Sequence, residues 1–431
     1  MKKKCFGVFL ISISIMLCGC SERMTDNAKQ PVKKTVNQNQ IEKKDFKTVF
    51  REAPEQEADI KKMADDHMEF SDEFYLNIPK SEEVSKICSF ELAYKDKLSL
   101  EKTYESFNRI LQQNFKGVYS EKEKKELYQV HSHDKDGKDA EGNLKTYYEP
   151  YETCKNDILN GNKSLDCFAF ENKKGGLEVY PGKFFQMTHG VGARLDKDDM
   201  MLMYYPYYNH PIEKQIPITY QYQGKDTYPL MDQKISVKDA ADFVEKFLEG
   251  VYEDDYILKP VVSSVRVVNM EKGFYDYCFS VTKKYQGIRF DCDPQKYASS
   301  SAQSSIGPNE EDYDVLPAKV QMIKSNEIDS MLAYSENYNF KEKEHYDDII
   351  DLKTAMEILK KQVSSKLELV ITNVDFVYSV YAKKESDQKK YGTPEWKISA
   401  RNKKDKLDYY FYVNAVDGSF HYYYDTEASE N

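Results

Sequence analysis

The segment with the densest set of ligating side chains is His131-Ser132-His133-Asp134-Lys135-Asp136-Gly137-Lys138-Asp139-Ala140-Glu141. Oxygen donors leading into a glycine turn are what a calcium loop needs, with Gly137 as the loop glycine and Ser132, Asp134 and Asp136 as its first three ligands. The position that should then supply a bidentate glutamate is Asn143, so the pattern is broken at its strongest ligand. Two histidines at i and i+2 suit a transition metal, but no third ligand stands nearby in the sequence. The expectation is a solvated loop between a Lys/Glu-rich helix and the next strand, with no metal and no cofactor. Nucleophilic and metal-assisted hydrolysis find no motif. There is no Gly-x-Ser-x-Gly, no His-Glu-x-x-His and no Cys-x-x-Cys, and the seven histidines are scattered. Paired carboxylates carry no information among 73 acidic residues. No catalytic residue is assigned, and the chain is not expected to be an enzyme.

Aromatic clusters are the other surface-active feature. Tyr204-Tyr205-Pro206-Tyr207-Tyr208 and Tyr422-Tyr423-Tyr424 place alternate rings on opposite faces of a strand. Outward rings can stack on sugars or form a protein interface; the simpler expectation is that they cover a sheet beneath helices. Trp396, the only tryptophan, is expected in the core.

Cys20 carries a different chemistry. Lys2, Lys3 and Lys4 precede an apolar run from Phe6 to Leu17 that is too short to span a membrane, followed by Leu17-Cys18-Gly19-Cys20. The pattern resembles a bacterial lipoprotein signal peptide. The resemblance implies cleavage after Gly19, a diacylglyceryl group on the Cys20 sulfur, and a protein anchored by lipid at the outer face of the cytoplasmic membrane. Two acyl chains satisfy what stable anchoring requires. Loss of residues 1–19 removes three lysines and no acid, moving the net charge from −11 to −14. Such an acidic body argues against nucleic acid and against a polybasic grip on lipid. Cys88, Cys154, Cys167, Cys278 and Cys292 then remain, an odd number. Cys154 with Cys167, and Cys278 with Cys292, are close enough in sequence to bridge; the alternative is that all five are buried thiols.

Residues 20–60 are expected to be a flexible tether. Beyond it, hydrophobic periodicity marks three amphipathic helices, each opened by a capping residue: Ser99 to about Phe115, Ser236 to Leu248, and Asp351 to Val363. Strand patterns follow the second helix over Val261–Val268, Phe274–Val281, Gln286–Phe290, Val320–Ile323 and Ile328–Tyr334. They follow the third over Leu367–Ile371, Val374–Tyr381, Glu395–Ala400, Tyr409–Val413 and Phe420–Tyr424, with Asp417-Gly418 as a hairpin turn. The expected fold is α+β, with repeated modules of one helix packed on an antiparallel meander sheet. The expected organisation is a signal peptide at 1–19, the tether at 20–60, an N-terminal α+β region at 61–230, and modules at 231–340 and 341–431. The serine-rich stretch from Ala298 to Ser305, running on to Asp312, reads as a loop inside the second module.

The last module resembles PepSY-like domains of extracytoplasmic proteins from Gram-positive bacteria. The matching residues are Asp351-Leu352-Lys353-Thr354-Ala355-Met356, Pro394-Glu395-Trp396, and Tyr412-Val413-Asn414-Ala415-Val416-Asp417-Gly418. The module at 231–340 is similar in element order only. The layout resembles lipoproteins of anaerobic Firmicutes and membrane-anchored accessory proteins that restrain a cell-wall sensor kinase. The resemblance implies a non-enzymatic binding or regulatory role towards another envelope protein or peptide. The competing expectation is a glycan-binding or glycan-processing surface lipoprotein that uses tyrosine surfaces and acid pairs.

Overall fold

A computed structural model describes residues 41–425 except 95–98, 115–128, 173–174, 182–183, 190–209, 252–256, 271–272, 292–302, 305–317, 335–337, 364–365 and 383–388. Cys20, Tyr204–Tyr208, Cys292 and most of the serine-rich loop lie outside the described residues.

The first element corrects the C-terminal part of the expected tether; residues 20–40 of it lie outside the described residues. Lys44–Asp45 (β1) leads directly into a 16-residue helix, Phe46–Lys61 (α1). Asp45 caps it by accepting the Thr48 N–H at 3.0 Å. Phe46, Val49, Phe50, Ala53 and Ile60 are buried on one face, a helical spacing that seals core rather than trailing in solvent. Pro54 sits inside the helix and removes one backbone donor. That proline and the charges around it hide the helical period in the sequence.

Met68–Asn77 (β2) and Cys88–Tyr94 (β3) follow. Next comes Leu100–Asn114 (α2), where Ser99 Oγ accepts the Lys102 N–H at 3.2 Å. Gln129–Lys138 (β4) and Leu144–Pro150 (β5) form a hairpin, and Tyr151–Leu159 (α3) precedes Lys163–Asn172 (β6), Gly175–Tyr180 (β7) and Phe184–His189 (β8). Ile212–Pro217 (β9) and a short hairpin of Thr227–Pro229 (β10) with Lys234–Ser236 (β11) lead to Val237–Val251 (α4). Ser236 Oγ accepts the Asp239 N–H at 3.0 Å and donates to the Asp239 carboxylate at 2.6 Å, so the serine caps the helix and the aspartate meets its hydroxyl rather than its backbone N–H as in a capping box.

After α4 come Lys259–Asn269 (β12), Tyr275–Tyr285 (β13), Ile288–Phe290 (β14), Gln303–Ser304 (β15), Ala318–Met322 (β16) and Ser330–Tyr334 (β17). Tyr338–His345 (β18) and Asp348–Ile349 (β19) lead to Leu352–Gln362 (α5), capped by Asp351 on the Thr354 N–H at 2.9 Å. Leu369–Ala382 (β20), Lys389–Asn402 (β21), Asp408–Asn414 (β22) and Phe420–Asp425 (β23) end the described chain. Leu367–Ile371 and Val374–Tyr381, expected as two strands, lie largely in the single strand β20, with a bulge between Ile371 and Asn373. The connection at Asp417-Gly418 spans residues 415–419 rather than two. Asn414 Oδ1 takes the Val416 and Asp417 N–H groups, and Gly418 holds φ at +72°.

The fold is mixed α/β, and its strands pair mostly antiparallel. Ten strands run in the order β5-β4-β6-β7-β8-β17-β16-β13-β12-β9, every pair antiparallel. β20 to β23 pair in chain order. β2 and β14 join β20 in parallel.

Two cores result, and they run across the expected boundaries at residues 60 and 230. One joins α1 with α5 and β20–β23, bringing Phe50, Ile60 and Phe90 together with Met356, Phe376, Trp396 and Phe411. The other joins α2 with α4 on the ten-stranded sheet, through Phe107, Leu111 and Phe168 with Val244, Leu248, Tyr277 and Phe279. The N-terminal helix therefore belongs with the C-terminal sheet, and the chain between them closes on itself. Trp396 is fully buried as expected, donating its indole N–H to Ile350 O at 2.8 Å and meeting Phe376 edge-on at 4.9 Å. Among the described residues no helix is long and apolar enough to cross a membrane.

Candidate functional site

The ligand-rich segment is not a calcium loop and not a solvated loop. Residues 131–138 lie inside β4, so Ser132, Asp134 and Asp136 are strung along an extended strand and cannot wrap one centre. Ser132 is fully buried. The turn comes later: Asp139 Oδ1 accepts the Glu141 and Asn143 N–H groups at 3.1 and 2.7 Å, which spends that carboxylate on the backbone. Among the described residues no group of three His, Cys, Asp or Glu side chains is placed to hold a metal ion.

The two histidines do find a third group, from a strand the sequence does not place beside them. Asp166 stands where β6 shifts register against β4, between the His131–Cys167 and Ser132–Leu165 pairs. The bulge turns its carboxylate onto both rings. Its Oδ1 lies 2.6 Å from His133 Nε2 and its Oδ2 lies 3.5 Å from His131 Nδ1. His133 Nδ1 meets Thr146 Oγ1 at 2.9 Å, and Tyr148 stacks on His131 at 4.9 Å and 10°. Thr146 and Tyr148 sit directly opposite His133 and His131 in the β4–β5 ladder. Five side chains from three strands thus form one network on a single sheet face. The side chains of His131, His133 and Asp166 are 26%, 24% and 32% exposed, so solvent reaches them.

A second polar group lies on the C-terminal sheet, on the face turned away from α5. Asp291 Oδ1 takes the Lys397 ammonium at 2.7 Å, and its Oδ2 takes the Tyr412 hydroxyl at 2.8 Å. Lys397 lies over the ring of Tyr410 at 5.0 Å. Tyr412 stacks on His421 at 4.7 Å and 4°, and Tyr410 stacks on Tyr423 at 4.6 Å. His421 Nε2 is 3.6 Å from Glu395 Oε2. Asp291, Glu395 and Lys397 are all buried. Nearby, burial raises the carboxyl of Asp375, with Lys397, Asn77 and Asn373 opposing. Asp291 is met by an opposite charge and a hydroxyl, the arrangement that makes an ionic pair tolerable inside a protein.

Strand alternation sorts the Tyr422–Tyr424 cluster. Tyr422 and Tyr424 pack on the helix side against the main core, and Tyr423 joins the polar face.

Of the two readings of Cys154 and Cys167, the bridge does not form: both are buried thiols. Cys154 donates to Pro150 O at 3.5 Å. Burial pushes the Cys167 thiol up to about 12 and the Cys88 thiol up to about 11, the reverse of what a nucleophile needs. Cys278 is also a buried thiol that closes no disulfide, and Cys292 lies outside the described residues.

Among solved structures, this chain is similar to an uncharacterized protein from Eubacterium rectale ATCC 33656. The TM-score is 0.45 and the identity 12%, over 81% of this chain and 91% of that one. No protein-family model matches the chain. No curated protein matches it.

Proposed function

We propose that this is a non-enzymatic binding or regulatory lipoprotein, held by Cys20 at the outer face of the cytoplasmic membrane. Its partner is an extended segment of another envelope protein or peptide. The observation that carries this reading is the ten-stranded sheet with its two open ends. Among the described residues β5 pairs only with β4, and β9 only with β12. Both strands are largely exposed, and each offers a row of backbone donors and acceptors to an added strand. Exposed Leu144 on β5 and Ile212 on β9 supply apolar contact beside those rows. Repeated modules are part of the same reading. A helix followed by four strands paired in chain order occurs as α5 with β20–β23, and as α4 with β12, β13, β16 and β17, where β14 and β15 are inserted. A similar order occurs as α2 with β4, β6, β7 and β8, with β5 and α3 inserted. This order supports a PepSY-like module as the building unit.

The test is a photo-reactive residue at Lys145 or Ile212 in the full-length protein, irradiated in its own membranes. A discrete adduct with one envelope protein is expected. Irradiation that yields no protein adduct from either position would reject the reading. Mass spectrometry of the amino terminus tests the anchor, and an intact unacylated Met1 would remove it.

A further inference from the structure

The buried polar group on the outer face of the C-terminal sheet brings an amine and a carboxyl group into reacting distance. Asp375, Lys397 and Tyr412 stand directly opposite one another on β20, β21 and β22, one row across the sheet. Side chains paired in this way share a face and lie about 5 Å apart at Cβ. Asp291 reaches them from the end of β14, where its N–H donates to Tyr378 O of β20 at 2.9 Å. The Lys397 ammonium meets Asp291 Oδ1 at 2.7 Å, and the Tyr412 hydroxyl donates to Oδ2 at 2.8 Å. The Asp291 and Lys397 side chains are 1% and 9% exposed, so the contact is shut off from bulk water. In such an enclosure, moving one proton from Nζ to Oδ1 trades a charged pair for a neutral amine and a neutral acid, which is far cheaper there than in water. An amine held against a carboxyl group by the fold also gains an effective concentration of roughly 10⁵ M or more.

We propose that Lys397 and Asp291 form an intramolecular isopeptide bond in the folded protein. Nζ attacks Cγ, and the Tyr412 hydroxyl holds the oxyanion that develops on Oδ2. Oδ1 takes one proton from Nζ across the 2.7 Å contact. It takes a second, also released by Nζ and relayed by Asp375, as its bond to Cγ breaks, and it leaves as water. Burial raises the Asp375 carboxyl, against Lys397 as the chief opposing influence, which suits a group that must both give and take a proton. An ammonium and a carboxylate become one amide and one water, and no oxidant or cofactor enters. The bond ties residues 106 positions apart and fastens the end of β14 to β21 across β20. It uses neither open end of the ten-stranded sheet, so it stands or falls apart from the strand-edge partner. Stability changes at this pair are read against Asp375→Asn, in which the two side chains remain an ion pair.

Intact-mass spectrometry of the full chain tests it, with the amino terminus read from a peptide map of the same sample. The native protein should weigh one water less than its sequence. Chain recovered from inclusion bodies and kept in urea should carry the full mass and lose one water on refolding. After proteolysis, the peptides holding residues 291 and 397 should run as one branched species that survives reductant. Lys397→Arg keeps the cation but should show the full mass. Asp291→Asn should lose one ammonia in place of water, because the amide nitrogen is then the leaving atom. Asp375→Asn should slow the loss on refolding by about a hundredfold. A native protein of full sequence mass, or a water loss that persists in Lys397→Arg, would overturn the assignment. The wild-type mass needs no variant, so misfolding of a substituted chain does not confound the result.

Discussion

Asp276 offers a measurement of what burial does to a carboxyl group in this sheet. It lies on β13 at 1% exposure, one residue before Tyr277 of the second core. Burial is the largest influence on it, the Asp329 carboxylate adds to it, and the hydrogen bond donated by Gln321 opposes it. The result is a carboxyl pushed up to about 7. In the unfolded chain the same group titrates near 4. The folded state therefore holds the proton more tightly. Its contribution to stability is fully present below pH 4, falls as the pH rises, and has gone once the pH passes about 7. A gap of about 3 pH units corresponds to about 4 kcal/mol, an upper figure for this single group. Asp276→Asn keeps the shape and the acceptor for Gln321 but cannot ionise. Its new amide donors add a cost of about 1–3 kcal/mol if they stay unpaired, and that cost does not vary with pH. The informative quantity is therefore the slope. Urea unfolding at pH 4.5, 6, 7.5 and 9 should show wild type losing stability relative to Asp276→Asn between pH 4.5 and 7.5, with no further change above. Asp375 and Glu245 are also raised, and Asp351 and Asp226 are lowered, but all four are common to both proteins and cancel in the difference. Parallel pH profiles for the two proteins would refute this account of Asp276.

Three further outcomes follow from packing and charge. Gly392→Ala would place a Cβ 1.9 Å from the Phe90 ring, so the β3–β21 contact must open. A loss of about 1–3 kcal/mol or more is expected in denaturant unfolding, with partial rescue by Phe90→Leu. Asp291→Ala removes the carboxylate that holds the buried Lys397 ammonium and should cost about 3–5 kcal/mol, whereas Asp291→Ala with Lys397→Met should recover much of it in a double-mutant cycle. Cys88 and Cys167 should resist iodoacetamide in the native protein at pH 8, because burial holds both as thiols, and react on unfolding. Native-state labelling mapped by mass spectrometry checks this, and rapid modification of either would contradict the enclosure of its sulfur in the core.

The sequence by itself determined the elements whose causes are local. Ser99, Ser236 and Asp351 cap the helices that their periodicity announces, since a side-chain oxygen three residues before an orphan N–H needs nothing from the rest of the chain. The strands after α4 and α5 were legible for the same reason: β-branched and aromatic runs ended by turn residues fix their own extent. Trp396 could be assigned to the core from its place in an apolar strand. Helix α1 escaped because Pro54 breaks the signal that Phe46, Val49 and Phe50 begin, and its burial against α5 and β20 is what stabilises it. Tertiary structure alone decided the joins: β8 against β17, β14 and β2 beside β20, and the N-terminal helix in the C-terminal core. Each depends on residues far apart in the chain, where the energy lies in burial of a shared face and no local pattern records the partner. The candidate site divides along the same line. His131 and His133 were visible as a pair, but Asp166 is a bulge residue on another strand, and a bulge shows itself only once two strands are in register. Tyr148 gains its stacking partner from the histidine opposite it, a neighbour set by the pairing of β4 with β5.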